Sequence, residues 1–160
     1  MIYYDQIARG YDKLHGAEQS AKLAIIKERL IPRMKDRLLD VGCGTGISSE
    51  FSCFVVGLDP SFKLLKRSKA LRVCGVAEHL PFRDKAFDFV VSVTAVHNFS
   101  DVRAGLLEID RVGTCQFAIS VLAKSRKRKS VEILVEKIFS QKLKVSERHD
   151  IIFFCAKRFI

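Results

Sequence analysis

The stretch Leu38-Leu39-Asp40-Val41-Gly42-Cys43-Gly44-Thr45-Gly46 constrains this chain more than any other. A short apolar run, closed by an acid and followed at once by alternate glycines, reads as a buried strand turning sharply into a helix. Glycine tolerates positive φ and carries no Cβ. Backbone at such a turn can wrap a ligand closely, while the next helix N-terminus presents unpaired N–H groups to it. A strand–turn–helix unit needs a sheet around it, and the rest of the sequence supplies one.

From Arg37 onward strand-like and helix-like runs alternate. Strands are predicted at 38–42, 55–59, 71–76, 87–94 and 116–122. Helices are predicted at about 46–52, at 61–70 behind Pro60 and Ser61, at 101–111 and at about 129–140. This rhythm demands a parallel sheet with helices on both faces. Phe87, Phe89, Val90, Val91 and Val93 form the near-continuous apolar run of a central strand. Leu143–Arg148 and Ile151–Lys157 are separated only by His149 and Asp150, too short a link for a helical crossover, so they must pair antiparallel. The expected fold class is therefore α/β: a three-layer, seven-stranded mixed sheet with a reversed last strand. The 160 residues suit a single domain, 1–160, with a helical lead segment at 1–36 and the core at 37–160.

In the lead segment Ala21, Leu23, Ile26 and Leu30 recur near a 3.6-residue period, Lys22, Lys27, Glu28 and Arg29 occupy polar positions, and Pro32 ends the pattern. An amphipathic helix laid on the core follows. Ahead of it Tyr3, Tyr4 and Tyr11 cluster with Gly10, His15 and Gly16, which suits either a lid or simple packing.

The apolar runs are far too short to span a bilayer, and Met1–Gly10 lacks the apolar core of a secretory signal, so a soluble, cytoplasmic protein is expected. Cysteines 43, 53, 74, 115 and 155 are odd in number and contain no C-x-x-C pair, against both a zinc site and a disulfide framework. Cys115 and Cys155 read as small core residues. A net charge of +10 makes anionic partners a natural expectation, with a solvated basic surface as the alternative.

Four segments agree in order and spacing with one known family: Leu38–Gly46, Val56-Gly57-Leu58-Asp59-Pro60-Ser61, Ala77-Glu78-His79-Leu80-Pro81-Phe82 and Ala86-Phe87-Asp88-Phe89-Val90-Val91-Ser92. They resemble the class I S-adenosylmethionine-dependent methyltransferases, in particular the subgroup with the ubiquinone and menaquinone biosynthesis methyltransferases. The resemblance implies a cofactor site built from Asp40, Gly42, Cys43, Gly44, Gly46, Asp59, Pro60, Ala77, Glu78 and Thr94. In it the glycines admit the methionine part, Asp40 lies near its ammonium, and Asp59 accepts from the ribose hydroxyls. Two departures stand out. Val76 occupies a position where many relatives carry an acid toward the adenine, and the chain between Gly46 and Val55 is short, leaving a first helix of about two turns. A nicotinamide-binding Rossmann domain is the rival, but its fingerprint is G-x-G-x-x-G, whereas this chain reads G-x-G-x-G.

A sulfonium supplies an activated methyl group, so the protein's main task is to position the acceptor and, where needed, to take a proton. The segment Val93–Phe99 is expected to face the methyl; within it His97 is the candidate base, with a packing role as its alternative. Tyr11 and His15 are candidates for shaping the acceptor pocket. The run Lys124-Ser125-Arg126-Lys127-Arg128-Lys129 follows the fifth strand and so emerges at the cofactor edge of the sheet, where Arg126, Lys127 and Arg128 can hold RNA phosphates or simply stay solvated. Three functions follow: methylation of tRNA, rRNA or another anionic target, with an activating partner protein completing the site; methylation of a small metabolite such as a quinone precursor; or a non-catalytic S-adenosylmethionine-binding subunit of a partner enzyme. No metal is expected.

Overall fold

The computed structural model describes residues 11–68 and 71–158, and for 11–18 and Ser48 the backbone alone. Its elements are α1 (Tyr11–Lys27), β1 (Arg37–Val41), β2 (Phe54–Asp59), α2 (Phe62–Leu65), β3 (Leu71–Cys74), β4 (Phe87–Ser92), α3 (Val102–Val112), β5 (Gly113–Leu122), α4 (Arg128–Ile138), β6 (Ser140–Glu147) and β7 (Asp150–Ala156). Single 3-10 turns stand at Ile47–Ser49 and Val96–Asn98.

The strands form one seven-stranded sheet in the order β3-β2-β1-β4-β5-β7-β6. Strands β1 to β5 pair in parallel, and β7 runs antiparallel to both its neighbours, β5 and β6. The three-layer fold expected from the alternation, with its reversed last strand, is the one observed. Successive strands step outward in one direction from β1 to β3 and in the other from β4, which opens a crevice at the strand C-termini where ligands bind in open α/β sheets.

Alternation along the buried strands splits the core in two. Leu39, Val41, Val90, Phe117 and Phe153 pack with Leu106 and Ile109 of α3 and Val131 and Val135 of α4. Leu38, Phe89, Val91, Ala118 and Ile152 point the other way, against Ile26 of α1 and Leu30 just beyond it. Burying β4 on both faces is what its unbroken apolar run requires.

Four local expectations are corrected. Instead of a two-turn helix after Gly46 there is one 3-10 turn, because β2 already starts at Phe54 and residues 47–53 must also carry the return to the far end of the sheet. The helix expected at 61–70 is the single turn α2: Ser61 Oγ accepts from the Leu64 amide at 3.3 Å, and Arg72 takes the Leu65 carbonyl at 2.8 Å. Cys115 is exposed rather than core, since the β4–β5 register shifts between Phe87 and Phe89 and the side-chain alternation slips with it. Lys22, expected on the polar side of its helix, is wholly buried while Ala21 is exposed, because an ion pair with Asp150 compensates the charge.

The chain after β3 is held by polar ties. Arg111 makes two hydrogen bonds to Glu108 (2.6 and 2.8 Å) and reaches the carbonyls of Phe82 and Leu80 (2.8 and 3.0 Å). That fork keeps the Glu108 carboxyl below its ordinary range and fixes the segment that follows Ala77. Among the described residues no helix is long and apolar enough to cross a membrane, and no group of His, Cys, Asp and Glu could hold a metal ion.

Candidate cofactor-binding site

The glycine turn leaves β1 with Gly42, Gly44 and Gly46 at φ 79°, 55° and 88°, the left-handed region that side chains disfavour. Gly42 and Cys43 donate to the Leu58 carbonyl (2.7 and 3.1 Å), which lays the turn across the end of β2. A Cβ on Gly42 would stand 2.3 Å from the Ala95 methyl. The turn therefore fits only because position 42 is bare.

Asp59 closes β2 and ties the site together. Its Oδ2 accepts from the Gly44 amide at 2.9 Å and its Oδ1 from the Ser61 amide at 2.8 Å. The two oxygens of a carboxylate offer about four acceptor positions. A carboxylate at the cavity edge suits hydroxyl donors as well as amides.

Beyond the turn lies a cavity of about 190 Å³. Gly42, Gly44, Asp59, Pro60 and Ser61 line one side. Val76, Ala77 and Glu78 line a second, and Thr94, Ala95, Asn98 and Phe99 a third. Glu78 faces the cavity, yet its Oε1 accepts from the amides of Ser100 and Asp101 (2.6 and 3.1 Å), so it also anchors the entry to α3. Asp40 lies fully buried beneath the turn, accepting from Ser49 Oγ at 2.7 Å, and is not part of the cavity lining. Cys43 is likewise buried below the surface of the turn, packed on bare Gly57, and burial with the nearby Asp40 and Asp59 charges pushes its thiol far up. The Cys155 thiol is pushed up to about 12 by burial. Neither is a thiolate nucleophile at neutral pH. Gly46 lines a separate groove with Thr45, Phe51 and Phe54, on the side the shortened helix leaves bare.

The third wall rests on an unusual residue. Thr94 has φ 55°, a conformation costing a β-branched side chain on the order of 1–3 kcal/mol. Three ties hold it: its amide donates to Ser120 Oγ (2.7 Å), its hydroxyl accepts from Lys22 Nζ (2.8 Å), and the same hydroxyl lies 3.4 Å from both Asp150 oxygens. His97 follows on the 3-10 turn, half-buried, outside the cavity lining but between residues that form it. Among the described residues nothing bonds its Nδ1. Burial lowers its pKa; Asp150 raises it, while Lys127 and Lys22 lower it further, leaving the imidazole neutral at physiological pH.

The basic run caps this rim. Lys127 Nζ donates to the carbonyl of Phe99 at 2.6 Å, and Arg126 is exposed. Arg128 begins α4 and is half-buried. The lead segment through residue 10 and the side chains of Tyr11 and His15 lie outside the described residues. Ser61, Lys22 and Asp150 are not among the site residues expected from the sequence, and Ala95 and Phe99 enter only within the segment Val93–Phe99. Ser61, already read as the start of its helix, is its N-cap, and Lys22 is findable as the residue one turn before Ile26; Ala95 and Asp150 carry no local signal.

Residues 39–114 match the family model described as a methyltransferase domain. An uncharacterized protein of Methanocaldococcus jannaschii is 35% identical over 117 residues, covering 69% of this chain and 45% of that protein. A demethylmenaquinone methyltransferase of Corynebacterium kroppenstedtii is 31% identical over 137 residues, 74% of this chain and 60% of the relative. The chain thus spans about half the length of the curated relatives it matches. Among solved structures, one chain of the complex between the Haloferax volcanii Trm112 methyltransferase activator and a methyltransferase superposes with a TM-score of 0.81 at 16% identity, covering 98% of both chains. In its sheet order and in the match over residues 39–114 the chain is similar to the class I S-adenosylmethionine-dependent methyltransferases, whose cofactor is S-adenosylmethionine. The bare cradle at Gly42 and the carboxylate at the end of β2 fit that cofactor.

Proposed function

We propose that this chain transfers the methyl group of S-adenosylmethionine to an RNA. In this reading Gly42 and Gly44 admit the methionine part of the cofactor, Asp59 takes the ribose hydroxyls, and Pro60, Ala77 and Glu78 border the adenine. Bound cofactor supplies an electrophilic methyl on sulfur. The chain's own residues then hold the acceptor in line and remove its proton. Neutral His97, between the lining residues Ala95 and Asn98, is the base.

The observation that carries the acceptor class is the bond from Lys127 to the Phe99 carbonyl, since Phe99 lines the cavity and the basic run is thereby fixed at its mouth. Phosphates of a single strand held there would bring a base or ribose to the methyl. Replacing Arg126, Lys127 and Arg128 together by Gln is expected to weaken binding of total tRNA and to lower the slope of log affinity against log salt by about 2, at about 0.7 per lost contact. The same variant should lose labelled methyl incorporation into RNA. Unchanged slope and incorporation would reduce the run to a solvated loop. Several relatives named demethylmenaquinone methyltransferases support a small aromatic acceptor as the second reading, in which the triple variant keeps its turnover. The matched complex with a methyltransferase activator supports a protein partner for this chain as well.

With His97 as base, kcat/KM for the acceptor should rise with pH and level off, with its midpoint below the ordinary histidine value of about 6.5, because burial disfavours the cation. His97→Gln should lower the plateau on the order of 10²-fold and remove that limb. A variant with the wild-type profile would return His97 to a packing role.

A further inference from the structure

The ion pair between Lys22 and Asp150 has no solvent contact, with both side chains at 0% exposure. It joins α1 to the first residue of β7, and at the cavity wall it meets Thr94. Buried ion pairs are weak contributors to stability, since removing two charges from water offsets their attraction. What this one holds in place is therefore more informative than its own strength.

Thr94 is the β-branched residue in the left-handed region, and its hydroxyl is held by the pair: it accepts from Lys22 and faces both Asp150 oxygens as a donor. The backbone that leaves Thr94 in this conformation sets down Ala95, whose methyl fills the space a Cβ on Gly42 would need. A physical chain thus runs from the ion pair to Thr94, to Ala95 and to the glycine turn. We infer that Lys22 and Asp150 are positioning residues for the cofactor turn: they hold Thr94 in its left-handed conformation and, through Ala95, fix Gly42 where S-adenosylmethionine must approach. Seating of α1 thereby becomes part of cofactor binding, although the rest of that helix lies on the opposite core. The inference rests on the cofactor reading, and titration of the wild-type chain with S-adenosylmethionine tests that reading separately.

Removing one partner would strand a buried charge, so the informative variant replaces both, Lys22→Met with Asp150→Leu, a change that commonly preserves folding. It is expected to unfold cooperatively near the wild-type midpoint, to bind S-adenosylmethionine at least tenfold more weakly, and to exchange the Thr94 amide faster. Adding Thr94→Gly should recover at least threefold of that affinity, since glycine keeps φ 55° without the ties. Wild-type affinity in the double variant, or no recovery on adding glycine, would overturn the inference. If the double variant does not fold, Thr94→Val and Thr94→Gly decide in the native background. Valine keeps the strained branch and loses the hydroxyl ties, so it should bind S-adenosylmethionine at least tenfold more weakly than the glycine variant, which keeps φ 55° without them. Equal losses in the two would mean that the hydroxyl itself, not the conformation, matters, and would overturn the positioning role.

Discussion

Gly42→Val is expected to abolish measurable S-adenosylmethionine binding and to lower stability by about 3 kcal/mol or more. Two costs combine. A β-branched residue at φ 79° carries on the order of 1–3 kcal/mol of backbone strain, and its Cβ would overlap the Ala95 methyl, an overpacking typically worth about 1–3 kcal/mol. For a domain of this size that corresponds to a fall in Tm of roughly 6–12 °C. The two costs are separable. Gly42→Ala combined with Ala95→Gly removes the clash and keeps the strain, so its Tm should fall between that of Gly42→Ala alone and wild type. A Gly42→Val chain with wild-type Tm and affinity would mean that the turn is not seated against Ala95.

Asp59→Ala is expected to weaken S-adenosylmethionine binding by about 100-fold or more. A hydrogen bond to a charged group contributes about 1.5–3 kcal/mol, and loss of two ribose hydroxyl bonds to the carboxylate removes at least about 3 kcal/mol, a factor above 100 in Kd. The substitution also frees the Gly44 and Ser61 amides that Asp59 now binds, so the turn itself loosens. Asp59→Asn keeps one acceptor oxygen and should fall between the two. Were Asp59→Ala to lower Tm without changing affinity, Asp59 would be a cap for the turn and nothing more.

The parts of this fold written in local pattern were legible in the sequence: the βα alternation, the doubly buried β4, the final hairpin, and the acid-then-glycine turn at Asp40–Gly46. What was not legible depends on residues distant in the chain. Lys22 sits at a position that charge alone assigns to solvent, and only Asp150, across the sheet at the start of β7, makes its burial tolerable. Thr94 has no sequence mark of a left-handed residue, because its conformation is held by Lys22, Asp150 and Ser120 rather than by intrinsic preference. Helix lengths failed for the same reason. The segments after Gly46 and Ser61 have helical starts, but strand spacing and an arginine from β3 end them within a turn. Gly42, Gly44 and Asp59, which line the cavity, are legible because their pattern is local; Ala95 is not, because it fills the space that Gly42 leaves.

The most direct measurement is calorimetric titration of the purified wild-type chain and Asp59→Ala with S-adenosylmethionine and, separately, with NAD. The account predicts one molecule of S-adenosylmethionine bound per wild-type chain, loss of that binding in Asp59→Ala, and no heat from NAD with either. Binding of NAD in place of S-adenosylmethionine, or wild-type protein that binds neither, would contradict it.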